Sequence, residues 1–199
     1  MNCGSRFWEK GTPNTHAPRV ALHDAWADLS RLPQRPVGLA ERIRWAIDLY
    51  PCDLLFVHRD ADREPREKRE REIALAMGQI PSEVVVPRWI CVVPVRMLEA
   101  WLLFDEQALR GAASNPRGRV DVSLPPISTL ESMPDPKSKL RTTLRNASEL
   151  SARRREKLPI SPERVAELTD DFSRLRALSA FRAFEAKLGD ILDAGLSAP

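Results

Sequence analysis

Asp60 and Asp62 stand just beyond a short apolar run, Asp53-Leu54-Leu55-Phe56-Val57-His58, with a single alanine between them. A run of this length bounded by turn signals reads as a buried strand covered on both faces, and in open α/β sheets ligands bind beyond the carboxyl ends of the strands. If the backbone stays extended through Asp62, side chains two apart point the same way and the two carboxylates share a hard divalent cation, Mg²⁺ or Mn²⁺. Two such charges at close range repel unless a cation or a guanidinium lies between them. The competing arrangement is a turn in which Asp62 caps the following charged helix and Asp60 pairs with Arg59 or Arg63. His58 is then either a neighbour of the metal or a strand-end side chain bonded locally.

His58-Arg59-Asp60 also has the order of the protein-kinase catalytic triplet, but Pro65 stands where that motif needs asparagine. No Gly-rich phosphate loop, DFG or GxxxxGK[ST] occurs in the chain, which removes kinase and P-loop chemistry. Arg96 and Glu99 are the only charges in Val93-Pro94-Val95-Arg96-Met97-Leu98-Glu99-Ala100-Trp101-Leu102-Leu103. On a helix they share a face, as a plain ion pair or as polar groups at the rim where Asp60 and Asp62 lie. Asp135-Pro136-Lys137 has the order of a helix cap followed by proline, so Asp135 is expected to cap and Lys137 is the residue left to meet a phosphate. Arg141, Arg145, Arg153, Arg154 and Arg155 are either a solvated face or a stripe against a nucleic-acid backbone. The tryptophans and phenylalanines fall mainly on apolar faces, so base-stacking platforms are not indicated.

The elements that must position these groups follow from periodicity. Residues 1–18 have no period and read as a loose leader, with a short strand at Val20–Leu22. Leu39, Ile43, Ala46, Ile47 and Tyr50 make one helical face ending before Pro51. Residues 63–72 are almost entirely charged and predict a helix solvated at its start and packed from Ile73 onward. Val84–Val86 and Ile90–Val93 predict further strands. A helix is expected over 97–113, broken near Asp105, with Met97, Trp101 and Phe104 along a buried stripe. From about 136 the chain is helical, with starts at Asp135-Pro136, Ser161-Pro162 and Ser179. The expectation is an α/β fold, a parallel or mixed sheet flanked by helices with a helical C-terminal third, in a single domain over 19–199.

The bulk composition sets limits. With 199 residues, 43% hydrophobic and 30% charged, the chain suits one packed domain rather than a disordered segment. It contains no apolar run of about 18 residues and no signal-peptide stretch, so neither membrane insertion nor secretion is expected and the expected location is cytoplasmic. Cys3, Cys52 and Cys91 form no CxxC pair, which argues against a disulfide framework and a zinc cluster. A net charge of +3 permits nucleic-acid contact without requiring it, and homo-oligomerisation is compatible with the sequence.

The chain resembles a bacterial TOPRIM-like family of unknown function, often encoded beside ATPases of the kind found in defence systems. The resemblance rests on LAERIRWAI (39–47), PCDLLFVHRDAD (51–62), VPVRMLEAWLL (93–103), ASNP (113–116) and DPK (135–137). TOPRIM domains, as in topoisomerases, primases and related nucleases, bind Mg²⁺ through a glutamate after the first strand and a DxD pair. The resemblance implies that Asp60 and Asp62 are that pair, that Glu99 is a further acidic ligand, that Lys137 or Arg96 steadies a phosphate, and that His58 and Arg59 line the substrate side. It implies a Mg²⁺-dependent nuclease or phosphoryl-transfer protein acting on nucleic acid, or an interaction subunit of a partner ATPase. The family's opening strand and Glu-Gly turn have only a faint counterpart in Glu9-Lys10-Gly11-Thr12. Either the chain starts late relative to its relatives or the site is incomplete.

Overall fold

A computed structural model describes residues 23–62 and 64–195. The leader, the Val20–Leu22 strand, Cys3 and Arg63 lie outside the described residues. The chain is mixed α/β and its contacts gather into two compact units, one of residues 24–95 with 179–195, the other of residues 96–178.

In the first unit, α1 (Gly38–Leu49) turns Ile43 and Ile47 inward and stops before Pro51, as its spacing predicts. Strand β1 (Leu54–His58) follows at once, then α2 (Arg66–Gly78) and β2 (Arg88–Val92). The strands pair in parallel, Leu54 opposite Arg88 through His58 opposite Val92, the pairing that a helical crossover permits. The ladder runs on past the strand ends, since the Arg59 N–H donates to the Val92 carbonyl and the Ala61 N–H to Pro94, each at 3.1 Å. Val57, Ala61, Cys91 and Val93 on one sheet face pack with Ile43 and Ile47 of α1 and Ile73, Ala76 and Met77 of α2. Each large aliphatic side chain so buried contributes roughly 1.5–3 kcal/mol.

The second unit opens with a 3-10 turn over Leu98–Leu102 and continues through α3 (Glu106–Ala112), α4 (Pro136–Ala147), α5 (Ala152–Glu156) and α6 (Pro162–Leu168). Three of its helices begin on side-chain caps. Asp105 accepts from the Ala108 N–H at 3.0 Å, Asp135 from Ser138 at 2.9 Å and Ser161 from Arg164 at 3.1 Å, each worth about 1 kcal/mol. Leu103, Leu109, Leu130, Leu140, Leu144, Val165 and Leu175 are buried in its core. The chain then re-enters the first unit as α7 (Ser179–Asp193), where Phe184 meets Phe56 and Phe181.

Four expectations need correction. Val84–Val86 is no strand: the Val84 N–H closes a turn onto the Pro81 carbonyl and Val85 is 80% exposed, and although Val84 and Val86 pack against the core, β-branched residues without a paired neighbouring strand stay irregular. The second strand comes earlier than read and begins at Arg88. Strand β1 is not covered on both faces, because α7 lies chiefly on β2 and Phe56 remains half exposed. The expected break near Asp105 is present, but the segment before it winds as a 3-10 turn, with Met97 extended ahead of it and only partly buried.

Candidate functional site at the carboxyl end of the parallel strands

The first unit brings His58 and Asp60 together. Both lie on the sheet face opposite Val57 and Ala61, and the His58 Nε2 is 3.1 Å from the Asp60 Oδ1. Against an ionised carboxylate Nε2 must carry the hydrogen, which leaves Nδ1 as the ring's acceptor. Their side chains keep 35% and 31% of their surface open to solvent, so the pair is reachable yet sheltered on one side.

Arg69 of α2 holds the segment that carries them. Its Nε donates to the Asp60 carbonyl at 3.2 Å, and its Nη1 donates to both oxygens of Glu72 at 3.0 Å. Glu72 also takes the Arg59 guanidinium at 3.5 Å. The main chain at Asp60 is thus tied to β2 by the Ala61 N–H and to α2 by Arg69. Sequence reading missed this clamp because Arg69 and Glu72 sit inside a run of charges expected to be solvated. The signal was their i,i+3 spacing, and the Arg69 side chain keeps only 17% of its surface.

Asp62 departs from the extended course. Its φ is 51°, in the left-handed region that aspartate tolerates better than most residues. The Glu64 N–H donates back to the Ala61 carbonyl at 3.0 Å. The condition under which the two carboxylates align as strand neighbours therefore fails at Asp62, which is exposed in a turn. Nor does Asp62 cap the next helix, since the residue before α2 is Pro65 and no side chain bonds that end.

The remaining expected site residues belong to the second unit. Arg96 precedes the 3-10 turn and Glu99 is in its first turn; both are half-buried. Met97 is extended, so helical geometry does not put these two on one face, and among the described residues no ion pair joins them. Lys137 is exposed on the first turn of α4, beside an Asp135 whose carboxylate is engaged as the cap. Among the described residues no three His, Cys, Asp or Glu side chains gather into a group that would by itself hold a metal ion.

Among the described residues, two of the hollows lie on the first unit. The larger, about 520 Å³, is lined by Glu70, Trp89, Cys91, Lys187 and Ile191 among others, and none of His58, Asp60 or Asp62 borders it. Its Lys187 pairs with Glu70 at 2.9 Å. A smaller one of about 290 Å³ is lined by Arg59 and Glu72 with Leu39 and Leu75.

No protein-family model, curated protein or solved structure matches the chain. Among the described residues no helix is long and apolar enough to cross a membrane.

Proposed function

We propose that the chain is a TOPRIM-like, Mg²⁺-dependent phosphodiester-cleaving or phosphoryl-transfer protein centred on Asp60. The observation that carries this reading is the His58–Asp60 pair at the carboxyl end of two parallel strands, with its main chain clamped by Arg69. Active groups on a rigid sheet edge keep their geometry during a reaction, which is where positioning yields its largest effect.

The donor set fits magnesium. Mg²⁺ retains several waters and takes one or two carboxylates together with substrate phosphate, so Asp60 would serve as its protein ligand without a third side chain close by, and Asp62, turned out of strand alignment, would reach the ion only through water. Asp60 would hold the ion, which would supply Lewis-acid chemistry toward a phosphate ester and its attacking water. With Nε2 donating to Asp60, a neutral His58 would offer Nδ1 as the acceptor of a proton. The family resemblance implies the role of accessory ligand for Glu99 and of phosphate-steadying cations for Arg96 and Lys137; all three belong to the second unit.

The test is cleavage of plasmid and single-stranded DNA with Mg²⁺ or Mn²⁺ by the wild type, Asp60→Ala and His58→Ala. Loss of at least about 100-fold in Asp60→Ala is expected for a metal-holding carboxylate. Equal activity in wild type and Asp60→Ala ends the mechanism.

One observation favours a second reading, an interaction or regulatory subunit of a partner ATPase. The left-handed turn at Asp62 takes the second carboxylate out of strand alignment with the first. That reading expects no metal-dependent cleavage and co-purification with a partner ATPase, unaffected by Asp60→Ala.

A further inference from the structure

Between Lys137 and Lys157 the chain carries eight lysines and arginines against two carboxylates, a local charge of +6 in a protein whose total is only +3. Lys137, Arg141 and Arg145 recur every four residues and so share one side of α4, flanking the buried stripe of Leu140, Leu144 and Ala147. Arg153, Arg154 and Arg155 make up most of α5, which buries no side chain.

The turn between these helices is fixed by the arginines themselves. Arg145 donates from Nη2 to the Glu156 carbonyl at 3.5 Å and Arg155 to the Leu150 carbonyl at 3.2 Å, while Glu149 turns the chain at φ 53°. Main-chain carbonyls orient these two guanidiniums and leave their charge in place. One of the two local carboxylates is spent elsewhere, since Glu149 accepts from the Arg119 and Val120 N–H groups and faces Arg110 at 3.7 Å. Among the described residues, ion pairs of this unit join Arg110 to Glu106 and Glu149, and Arg164 to Glu167, and none of these takes a cation of the 137–157 stretch.

We propose that the α4–α5 hairpin is a contact surface for the phosphate backbone of a nucleic acid, read without regard to sequence. Arginine predominates, and its planar fork matches phosphate oxygens. No aromatic residue lies between 137 and 157, so the surface grips backbone rather than stacking bases. Nor does α5, Ala-Arg-Arg-Arg-Glu, offer the apolar face with which an amphipathic helix enters a bilayer. The proposal rests on the reading above for a polynucleotide substrate and adds where its backbone is held, yet binding here requires neither Asp60 nor a metal ion.

The experiment is fluorescence anisotropy of the full chain with a 30-base-pair duplex in EDTA, across about 50–200 mM salt. Wild type, Asp60→Ala and the triple variant Arg141→Gln/Arg153→Gln/Arg154→Gln are compared, all three arginines being exposed and circular dichroism confirming the fold. Wild type and Asp60→Ala should bind alike, with affinity falling steeply as salt rises. Removing three phosphate contacts should lower the salt slope by about 2.7, so that roughly 40-fold of the affinity change across that range disappears. Equal binding by the triple variant, or a flat salt response in the wild type, overturns the proposal. Capture by phosphatidylserine vesicles with no duplex binding overturns it in favour of a lipid surface. Salt-dependent duplex binding without cleavage supports this surface and removes the nuclease reading, whereas cleavage retained in a triple variant that binds like wild type does the reverse.

Discussion

Replacing Arg69 with methionine isolates what the clamp on Asp60 contributes. Methionine keeps an unbranched stem and a good helix propensity, so α2 is spared while the guanidinium is lost. Three hydrogen bonds go with it, one to the Asp60 carbonyl at 3.2 Å and two to Glu72 at 3.0 Å. The carbonyl bond is worth about 1 kcal/mol net. Glu72 is a third exposed and retains Arg59 at 3.5 Å, so the bidentate pair is discounted to about 1 kcal/mol more. A loss of about 2 kcal/mol lowers the melting temperature of a chain this size by roughly 4–8 °C. The effect should be local as well: the Ala61 and Glu64 amides, which hold the loop to Pro94 and to Ala61, should exchange hydrogen at least about tenfold faster, while the β1–β2 amides change less. Arg71→Met, an exposed neighbour on the same helix, is the control and should stay within about 0.5 kcal/mol of wild type. Thermal melts, urea titration and hydrogen exchange followed by mass spectrometry decide the matter. If Arg69→Met unfolds with wild-type stability and leaves those two amides unchanged, the clamp does not hold the site.

Other outcomes follow from the same coordinates. A Cβ on Gly118 would stand 2.6 Å from Arg110 Nη1, 2.6 Å from Asn115 Nδ2 and 2.7 Å from Glu149 Oε1; with Asn115 Nδ2 and Glu149 Oε1 already bonded and Arg110 buried beside them, Gly118→Ala should cost about 1–3 kcal/mol in urea unfolding, and a wild-type midpoint would refute the crowding. The Val120 N–H, then that of Arg119 and the charge of Arg110, hold the Glu149 carboxyl below its ordinary value. Stability from a lowered carboxylate pKa is fully present above the usual value near ~4.3 and lost as pH falls through the folded one, so Glu149→Gln should flatten the acid decline below that pH; parallel curves for the two proteins would contradict it. Burial pushes the Cys91 thiol up, and burial followed by the charge of Asp53 does the same to Cys52. Iodoacetamide at neutral pH should therefore label both slowly, Cys52 faster as pH rises and Cys91 only on unfolding; rapid labelling of Cys91 in the folded chain would show the strand open.

What the sequence alone determined is whatever depends on near neighbours in the chain. Asp135-Pro136 and Ser161-Pro162 start α4 and α6 because a cap and a proline satisfy the first helical turn without help from the fold. The face of α1 and the β1 run were equally legible, since periodicity and a bounded apolar stretch are local. Tertiary structure decided the rest. Val84–Val86 has strand composition but no paired strand, and a ladder needs a partner that composition cannot name. Arg69 belongs to a charged run that looks solvated until the turn after β1 brings a carbonyl within its reach. The same turn sets Asp60 beside His58 and swings the chain out of extension at Asp62, because the pairing of β1 with β2 ends there and the backbone must bend into α2.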